Sequence, residues 1–208
     1  MPSQKERLGE VLASDATDMR ATYDAWSATY DAENLGQGFR LPFISAAFFA
    51  RHFGTRSGTI LDAACGTGLV GESLAHLGYG PLIGCDLSEK MRAAAARHGV
   101  YQDLFEGNLA ALTFAENTFD AFLCVGAFGP GHAPPNALEE LARVTKPGGI
   151  GVFTLREDTY EEQGFPAVMD ALQSGGAWRE LQRSGAFRAY LIGEPHLFAR
   201  AVVVEILR

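Results

Sequence analysis

The sequence predicts an α/β fold, built on a doubly wound, mostly parallel sheet of seven strands with helices on both faces. Apolar, β-like runs alternate with helical patterns between residues 59 and 155, as a parallel sheet with crossover helices requires. A glycine-rich turn at Gly66 and Gly68 directly follows the first of these runs. Two β-like runs, 186–192 and 198–207, come last and predict a closing antiparallel hairpin.

The individual elements follow from hydrophobic periodicity and from the positions of turn residues. Core strands are expected at residues 59–63, 82–86, 102–105, 119–124 and 150–155. Core helices are expected at residues 68–77, 89–97 and 136–144. Before the core, residues 1 to about 17 carry a weak helical pattern, and residues 18–53 are predicted as helices interrupted by a loop near Gly36 and Gly38. After the core, residues 156–182 are predicted to be helical.

Length and composition predict one compact domain. The chain has 208 residues, of which 47% are hydrophobic, and this is enough for a sizeable core. Within that domain we expect an N-terminal helical arm and lid over residues 1–53 and a ligand-binding core over residues 54–208. The formal net charge of −8 disfavours nucleic acids, because it repels their phosphates, and it favours small molecules or basic partners.

Cysteine usage and the N-terminal composition predict a cytoplasmic protein. Cys65, Cys85 and Cys124 lie at or near predicted strand ends without paired spacing, which argues against a disulfide framework and against a zinc site. No metal is therefore expected. Residues 1–10 are polar and lack the apolar stretch of a secretory signal. No apolar run approaches the roughly 20 residues of a membrane span, so no membrane association is expected.

The most informative segment is the apolar run that ends in Asp62 and leads into the glycine turn. Gly66, Gly68 and Gly71 fit the G-x-G-x-x-G pattern of dinucleotide-binding proteins, and Asp86 follows at about the distance of a ribose-binding acid. A pyrophosphate at this turn would face the Asp62 carboxylate. Like charges at ~4 Å cost ~1 kcal/mol in water and several times more in a shielded site. S-adenosylmethionine (SAM) has a ribose and a cationic end but no phosphate, so it removes this conflict.

Four further segments follow the glycine turn in a characteristic order. They span residues 83–91, 107–109, 119–126 and 141–149. In order and spacing they resemble the class I SAM-dependent methyltransferases, which implies a Rossmann-like core, SAM as the cofactor and transfer of its methyl group. The run Tyr23-Asp24-x-Trp26-x-x-x-Tyr30-Asp31 resembles, more narrowly, the methyltransferase-like proteins named for the Williams–Beuren syndrome critical region.

The resemblance implies cofactor contacts at the ends of the predicted strands. Asp62 is expected to bind the methionine ammonium, directly or through water. The backbone of Gly66, Thr67 and Gly68 is expected to approach the ligand closely. Asp86, at the end of the second strand, is expected to accept hydrogen bonds from both ribose hydroxyls.

The remaining cofactor contacts are expected from Leu87, Met91, Asn108, Leu109, Val125 and Gly126. Met91 can cover the adenine face with its flexible thioether, or it can pack in the core. The family more often has an aspartate where this chain has Asn108, whose side-chain oxygen can still accept a hydrogen bond from adenine. Val125 and Gly126 follow the fourth strand and are expected near the sulfonium.

Tyr23, Trp26 and Tyr30 are spaced by three and four residues, which places them on one helical face. Either this aromatic face packs on the core, or it forms a lid whose rings shield the sulfonium, since aromatic faces attract cations. His132, in a loop rich in glycine and proline, is a candidate general base. A lone loop histidine is more often a bystander, so the catalytic residue stays open.

The predicted function is methyl transfer from SAM to a small-molecule or protein acceptor, a reaction that mainly needs alignment of the reactants and exclusion of water. Pro134-Pro135 lacks the Asn-Pro-Pro-aromatic pattern of amino-directed methyltransferases, which argues against a base amine or a glutamine amide as the acceptor. Two alternatives stay open. One is a catalytically inactive SAM-binding module, and the other is a nicotinamide-dependent oxidoreductase on a related fold, which Asp62 opposes.

Overall fold

The computed structural model describes residues 16–54 and 57–208. Within these residues the helices are α1 (Ala16–Trp26), α2 (Tyr30–Gly36), α3 (Leu41–His52), α4 (Leu69–His76), α5 (Glu89–Ala96), α6 (Ala137–Val144) and α7 (Phe165–Ser174). The strands are β1 (Ser57–Ala63), β2 (Gly80–Asp86), β3 (Tyr101–Glu106), β4 (Phe119–Phe128), β5 (Thr145–Arg156), β6 (Trp178–Arg183), β7 (Phe187–Arg188) and β8 (Phe198–Ile206). The arm predicted over residues 1–17 lies outside the described residues, except for its last two.

The strands form one eight-stranded sheet in the order β3-β2-β1-β4-β5-β8-β6, with the short β7 paired to β8. The strands from β3 to β5 in this order run parallel, while β8 is antiparallel to both β5 and β6. From β1 the chain builds outward to β3, then returns to place β4 on the other side of β1. The strand order therefore reverses between β1 and β4, which is where doubly wound sheets bind ligands. The predicted α/β fold with a mostly parallel sheet is confirmed.

The helix predicted over residues 156–182 was too long. Helix α7 ends at Ser174, where Gly175 follows and Gly176 adopts a φ of +72°, a left-handed conformation that stops a helix. The next residues form β6, in which the buried Trp178 begins an alternation of less and more exposed positions. This strand pairs antiparallel with β8, so the sheet has eight strands rather than seven.

The first strand of the predicted closing hairpin was also too long. Only Phe187–Arg188 of the run 186–192 pair with β8. Beyond them the chain turns to the N-terminal segment: the Leu191 amide donates to the Gly38 carbonyl at 3.0 Å, and the Ile192 amide donates to the Gln37 carbonyl at 3.0 Å. The β-compatible residues of this run therefore bind the loop between α2 and α3 instead of extending the sheet.

Helices α6 and α7 cover one face of the sheet. Helix α6 buries Leu138 and Leu141 completely and presents its charged residues to the other side. The Trp178 ring stacks on Phe153 at a centroid distance of 5.7 Å. Phe165, at the start of α7, is buried in the same cluster. These large side chains fix the sheet against the two helices.

Helices α3 and α4 cover the opposite face. Phe49 of α3 is fully buried, and its ring centroid lies 4.8 Å from that of Phe53 and 5.1 Å from that of Tyr79. Leu74 of α4 joins the same cluster, together with Ile60 of β1. Helix α3 thus packs directly on the sheet, whereas α1 and α2 lie at the edge where the parallel strands end.

The three cysteines, Cys65, Cys85 and Cys124, are buried and unpaired. Burial raises the pKa of each thiol, so these side chains are neutral apolar groups at ordinary pH. In the part of the chain that the structure describes, no group of His, Cys, Asp or Glu side chains is arranged to hold a metal ion. Across residues 16–54 and 57–208, no helix has the length and apolar character to cross a membrane.

The pairing of β4 with β5 generates a prediction about Gly151. It lies opposite Phe122 in the register, and a Cβ atom on Gly151 would lie 2.2 Å from Cε1 of the Phe122 ring. Gly151→Ala should therefore lower the free energy of unfolding by about 1–3 kcal/mol through overpacking. Urea denaturation measures this change. Gly185→Ala is the matched control, because nothing lies within 4 Å of its added Cβ. Equal midpoints for the two variants would contradict the packing described.

Candidate active site

The glycine turn after β1 wraps round the carboxyl end of that strand. Gly66 and Gly68 have φ angles of +54° and +98°, in the left-handed region that favours glycine. A Cβ atom on Gly66 would meet nothing within 4 Å, whereas one on Gly68 would lie 3.2 Å from the Cα of Ala95. Gly66 therefore leaves its backbone open to a ligand, and Gly68 lets the start of α4 approach α5.

Asp86, the last residue of β2, joins the two loops that follow β1 and β2. Its Oδ2 accepts a hydrogen bond from the Gly66 amide at 2.9 Å, and its Oδ1 accepts one from the Ser88 amide at 2.8 Å. Burial raises the pKa of Asp86, while these two amides lower it. The carboxylate lies between these two loops at the carboxyl end of the parallel strands, where an acid can accept hydrogen bonds from a ribose diol.

Asp62, near the end of β1, is 1% exposed. Its Oδ2 accepts a hydrogen bond of 2.6 Å from the Tyr101 hydroxyl, and its buried Oδ1 has no hydrogen-bond partner among the described residues. Burial raises the pKa of Asp62 to about 7; the hydrogen bond from Tyr101 and the Gly71 amide act in the opposite direction, and the nearby Asp86 adds to the rise. Asp62 is thus a buried acid with one oxygen left for a donor.

These residues fit the cofactor that the sequence predicts. A buried carboxylate oxygen without a donor is costly, and an ammonium group would supply that donor. In the loop that follows β1, the open side of Gly66 gives a ligand room. A pyrophosphate would add further negative charge and further acceptors to a site that already holds Asp62 and Asp86. The donor set therefore fits SAM and opposes a dinucleotide.

Two aspartates of the N-terminal helices bind the same two loops. The Ser88 hydroxyl donates to Oδ1 of Asp24 at 2.5 Å, and the Thr67 hydroxyl donates to Oδ1 of Asp31 at 2.5 Å. Ser88 and Thr67 are buried. The hydrogen bond from Ser88 lowers the pKa of Asp24, so this carboxyl is charged at neutral pH. We call this pair of contacts, Asp24–Ser88 and Asp31–Thr67, the lid clasp.

The three predicted lid aromatics come together although the helix is interrupted between them. Helix α1 ends at Trp26, and α2 begins at Tyr30. The Trp26 and Tyr30 rings meet edge to face with centroids 4.7 Å apart, and the Tyr23 ring stacks beside Trp26 at 6.1 Å. The cluster also packs against residues of the core, so part of its role is ordinary packing.

A cavity of about 70 Å³ adjoins these rings. Besides Tyr23, Trp26 and Tyr30, its walls include Phe39, Gly126, Phe128, His132, Arg156 and Tyr190. Most of these side chains are aromatic, and Arg156, with 15% of its side chain exposed, forms an ion pair with Asp158 at 2.5 Å. The cavity is therefore apolar, with a few polar groups at its wall, as small-molecule sites are.

His132 has a defined hydrogen-bonding arrangement in this wall. Its Nδ1 lies 2.7 Å from the Pro130 carbonyl, which can only accept, so Nδ1 carries the proton. Its Nε2 lies 2.9 Å from the Tyr23 hydroxyl and accepts from it. Burial lowers the pKa of His132, and the charge of Arg156 lowers it further, while the Pro130 carbonyl raises it. His132 is thus a neutral imidazole whose Nε2 can take a proton.

The other predicted contacts lie around this centre. Met91 is buried in α5, where its amide donates to the capping hydroxyl of Ser88. Leu109 is buried, whereas Leu87 is exposed. Asn108 is exposed and accepts a local hydrogen bond from the Ala110 amide at 3.0 Å. Leu87 thus lies in the loop after β2, Met91 in the helix that follows it, and Asn108 and Leu109 in the loop after β3.

Val125 and Gly126 extend β4 beyond its predicted end. Gly126 has a φ of +73°, and its amide donates to the Thr154 hydroxyl at 2.8 Å. It lines the cavity, so this strand end forms part of the cavity wall. The site also contains residues that sequence reasoning did not assign to it, namely Asp24, Asp31, Tyr101, Arg156 and Tyr190. The repeated Tyr-Asp pair of the N-terminal segment was a usable signal for the first two.

Comparison with known proteins decides the family. A protein-family model for the methyltransferase domain matches residues 61–153. Methyltransferase-like protein 27 from Homo sapiens is 37% identical over 166 residues, which cover 76% of this chain and 67% of that protein. The chain belongs to the SAM-dependent methyltransferase family. The narrower resemblance to the Williams–Beuren region proteins is confirmed by the same relative.

Further relatives of this methyltransferase extend the comparison. A demethylmenaquinone methyltransferase from Renibacterium salmoninarum is 38% identical over 180 residues, covering 81% of this chain and 73% of that protein. The chain spans about half the length of several other curated relatives. Among solved structures, the methyltransferase in complex with the Haloferax volcanii Trm112 activator has a TM-score of 0.71 at 19% identity, covering 91% of this chain and 97% of that one. It shares the fold.

The lid clasp generates a prediction about local stability. Replacing both acids, Asp24→Ala with Asp31→Ala, leaves the buried Thr67 and Ser88 hydroxyls without their acceptors. Amide hydrogen exchange in α1 and α2 should become about tenfold faster or more, because hydrogen bonds to charged groups hold these helices on the core. Exchange in β1 and β4 should stay unchanged. Asp103→Ala, on an exposed position of β3, is the control variant. Unaltered exchange in the double variant would show that the clasp does not hold the lid.

Proposed function

We propose that the loops after β1 and β2 bind SAM and that the enzyme transfers its methyl group to a small-molecule acceptor in the adjoining cavity. The observation that carries the proposal is the combination of the buried Asp62 and the half-buried Asp86, which accepts from the Gly66 amide, with the open side of Gly66. This donor and acceptor set suits a ligand with a diol and an ammonium group. When bound, SAM supplies a methyl group already activated on a sulfonium.

The residues have distinct roles in this proposal. Asp86 binds the ribose hydroxyls, and Asp62 binds the ammonium group. The backbone from Gly66 to Gly68 approaches the methionine part of the ligand. The adenine end rests against Met91 and Leu109, with Leu87 and Asn108 at its edge. Val125 and Gly126 lie beside the sulfonium, and the rings of Tyr23, Trp26 and Tyr30 close over it.

The lid excludes water from this site in the proposal. The lid clasp holds α1 and α2 on the two cofactor loops through Thr67 and Ser88. The aromatic rings then fill the space above the sulfonium, where a cation gains from an aromatic face. Because the reaction needs alignment more than a dedicated catalyst, this closure is the main contribution of residues 16–36. The division of the chain into a lid over 1–53 and a core over 54–208 stays a prediction.

The cavity supports a small-molecule acceptor over a protein acceptor. Aromatic side chains form much of its wall, and three of them, Tyr23, Trp26 and Tyr30, come from α1 and α2. Two relatives, a demethylmenaquinone methyltransferase and a ubiquinone biosynthesis O-methyltransferase, act on small molecules according to their names. A polypeptide acceptor would have to enter through the lid.

His132 is the proposed proton acceptor for a hydroxyl nucleophile. Its neutral Nε2 already accepts from the Tyr23 phenol, at the wall of the cavity. An acceptor hydroxyl in place of that phenol would give its proton to Nε2, and its oxygen electron pair would form the new bond to the methyl carbon. The C–S electron pair would stay with sulfur. The Pro130 carbonyl would hold the resulting imidazolium through Nδ1.

Ligand binding tests the cofactor assignment. S-adenosylhomocysteine at a hundredfold excess over its dissociation constant should stabilise the protein by about 2.7 kcal/mol, whereas NAD should have no effect. Asp86→Ala should weaken S-adenosylhomocysteine binding by about 1.5–3 kcal/mol, because a charge-assisted interaction with the ribose is lost. Thermal shift and calorimetric titration measure both effects, with Asp103→Ala as the matched control. Stabilisation by NAD alone would overturn the assignment.

Turnover tests the acceptor. With SAM carrying a labelled methyl group and a pool of small hydroxyl-bearing aromatic compounds, label should enter the small-molecule fraction and not protein. His132→Gln should reduce this transfer by about 10²–10⁴-fold, because the base is lost, and should leave S-adenosylhomocysteine affinity unchanged. Tyr23→Phe removes only the phenol hydroxyl and should keep His132 available as the base. Label in protein alone would refute the small-molecule acceptor, and binding of SAM with no transfer to either fraction would favour an inactive module.

A further inference from the structure

The buried pair Asp62 and Tyr101 joins two strands that are not neighbours. Asp62 belongs to β1, and Tyr101 begins β3 at the edge of the sheet, with β2 between them. The hydroxyl of Tyr101 nevertheless reaches Oδ2 of Asp62 at 2.6 Å. This contact fixes the orientation of the carboxyl group and leaves Oδ1 without a partner among residues 16–54 and 57–208.

Two glycines make room for the Tyr101 side chain on this path. A Cβ atom on Gly71 of α4 would lie 2.2 Å from the Tyr101 hydroxyl oxygen, and one on Gly84 of β2 would lie 3.1 Å from its Cε1. Any other residue at Gly71 would displace the hydroxyl from Asp62. Gly71 completes the G-x-G-x-x-G pattern, but its role in this chain is to admit a tyrosine rather than to approach a pyrophosphate.

We propose that Tyr101 is a positioning residue that holds Asp62 for the ammonium group of the cofactor, and that Asp62 releases a proton when that group binds. The inference rests on the proposed function of the site. A carboxyl group with one oxygen fixed by a phenol and the other without a donor is arranged to receive a single cationic donor. In its protonated, neutral form, Asp62 would attract the cationic ammonium group less strongly than the carboxylate does.

The other titratable groups around Asp62 are Asp86, three buried thiols and Tyr101. Asp86, at the end of β2, faces it and raises its pKa. The thiols of Cys65, Cys85 and Cys124 also interact with Asp62, but their raised pKa values keep them neutral. Tyr101 stays protonated, because burial and Asp62 raise its pKa.

The sign of the pH dependence follows from the raised pKa of Asp62. An acid whose pKa is higher in the folded state, about 7 here, stabilises the fold below its unfolded pKa of 3.8, and that contribution is lost as the pH rises through 7. A cation bound beside the carboxylate compensates for this loss only where Asp62 is ionised. The ammonium-containing ligand should therefore bind more tightly as the pH increases from 6 to 8.

Two probes separate the ammonium site from the nucleoside site. S-adenosylhomocysteine carries the amino-acid end, and 5′-methylthioadenosine has the same nucleoside without it. From pH 6 to pH 8 the wild-type protein should bind S-adenosylhomocysteine about tenfold more tightly, as expected for release of one proton near pH 7. Titration calorimetry in buffers of different ionisation enthalpy should detect this proton at pH 6. Affinity for 5′-methylthioadenosine should not follow this trend, since Asp86 serves both probes alike.

Tyr101→Phe is the variant that tests positioning. Without the hydroxyl, Asp62 should hold its proton more strongly, so S-adenosylhomocysteine should bind about tenfold or more weakly at pH 8 and its pH dependence should move to higher pH. Binding of 5′-methylthioadenosine should be unchanged. Gly71→Ala keeps the tyrosine but displaces its hydroxyl, and it should reproduce this profile. Tyr79→Phe removes another tyrosine hydroxyl, one that donates to the Ala50 and Phe53 carbonyls at 3.4–3.5 Å, and serves as the control.

Each outcome bears on one of the two proposals. If the wild type binds neither probe, the proposed function fails. If it binds both and the pH dependence of S-adenosylhomocysteine is flat, or if Tyr101→Phe leaves that profile unchanged, the inference about Tyr101 alone fails. Equal weakening of both probes by Tyr101→Phe would assign the tyrosine a merely structural role. Should that variant not fold, Asp62→Asn, which keeps an oxygen for Tyr101 but cannot ionise, must abolish the pH dependence of the wild type.

Discussion

Two backbone amides from separate loops converge on the carboxylate of Asp86, and the arrangement of the site depends on this contact. The Gly66 amide comes from the loop after β1, and the Ser88 amide comes from the loop after β2. Because β1 and β2 are parallel neighbours, their loops emerge side by side, and a single acid can join them. The residues next to these amides, Thr67 and Ser88 itself, then receive the two aspartates of the lid. A ligand group that binds Asp86 would therefore contact the same two loops to which α1 and α2 are hydrogen-bonded.

The site concentrates negative charge in a place that is poorly solvated. Asp62 and Asp86 are both screened from water, and burial raises the pKa of each. For Asp62, whose Oδ1 has no donor among the described residues, this burial is unfavourable, since desolvation of a carboxylate is not repaid without a cation or donors. It becomes favourable with a cationic ligand. The net charge of −8 for the chain favours the same class of ligand at longer range.

The parts of the molecule that sequence predicted well are those fixed by local chemistry. The alternation of strands and helices, the glycine turn and the acid at the end of β2 each have a local signal, and the parallel sheet follows from them. Strand β6 was missed because its residues carry little hydrophobic alternation: only Trp178 is buried, and its place in the sheet depends on β8, which is distant in sequence. The contact between Tyr101 and Asp62 was missed for a related reason. The Tyr101 side chain crosses β2 through the space left by Gly71 and Gly84, and no spacing of residues in the sequence indicates this contact.

The N-terminal segment shows how one short sequence can serve two neighbouring sites. In each Tyr-Asp pair the aspartate binds a loop at the end of a parallel strand: Asp24 contacts Ser88 in the loop after β2, and Asp31 contacts Thr67 in the loop after β1. The tyrosines Tyr23 and Tyr30 instead line the cavity. Consecutive residues of a helix diverge by about 100°, so a tyrosine and the aspartate after it reach different surfaces. The part of the cavity wall that Tyr23 and Tyr30 form consequently depends on the docking of the two aspartates. The shape of the cavity is thereby tied to the conformation of the loops after β1 and β2.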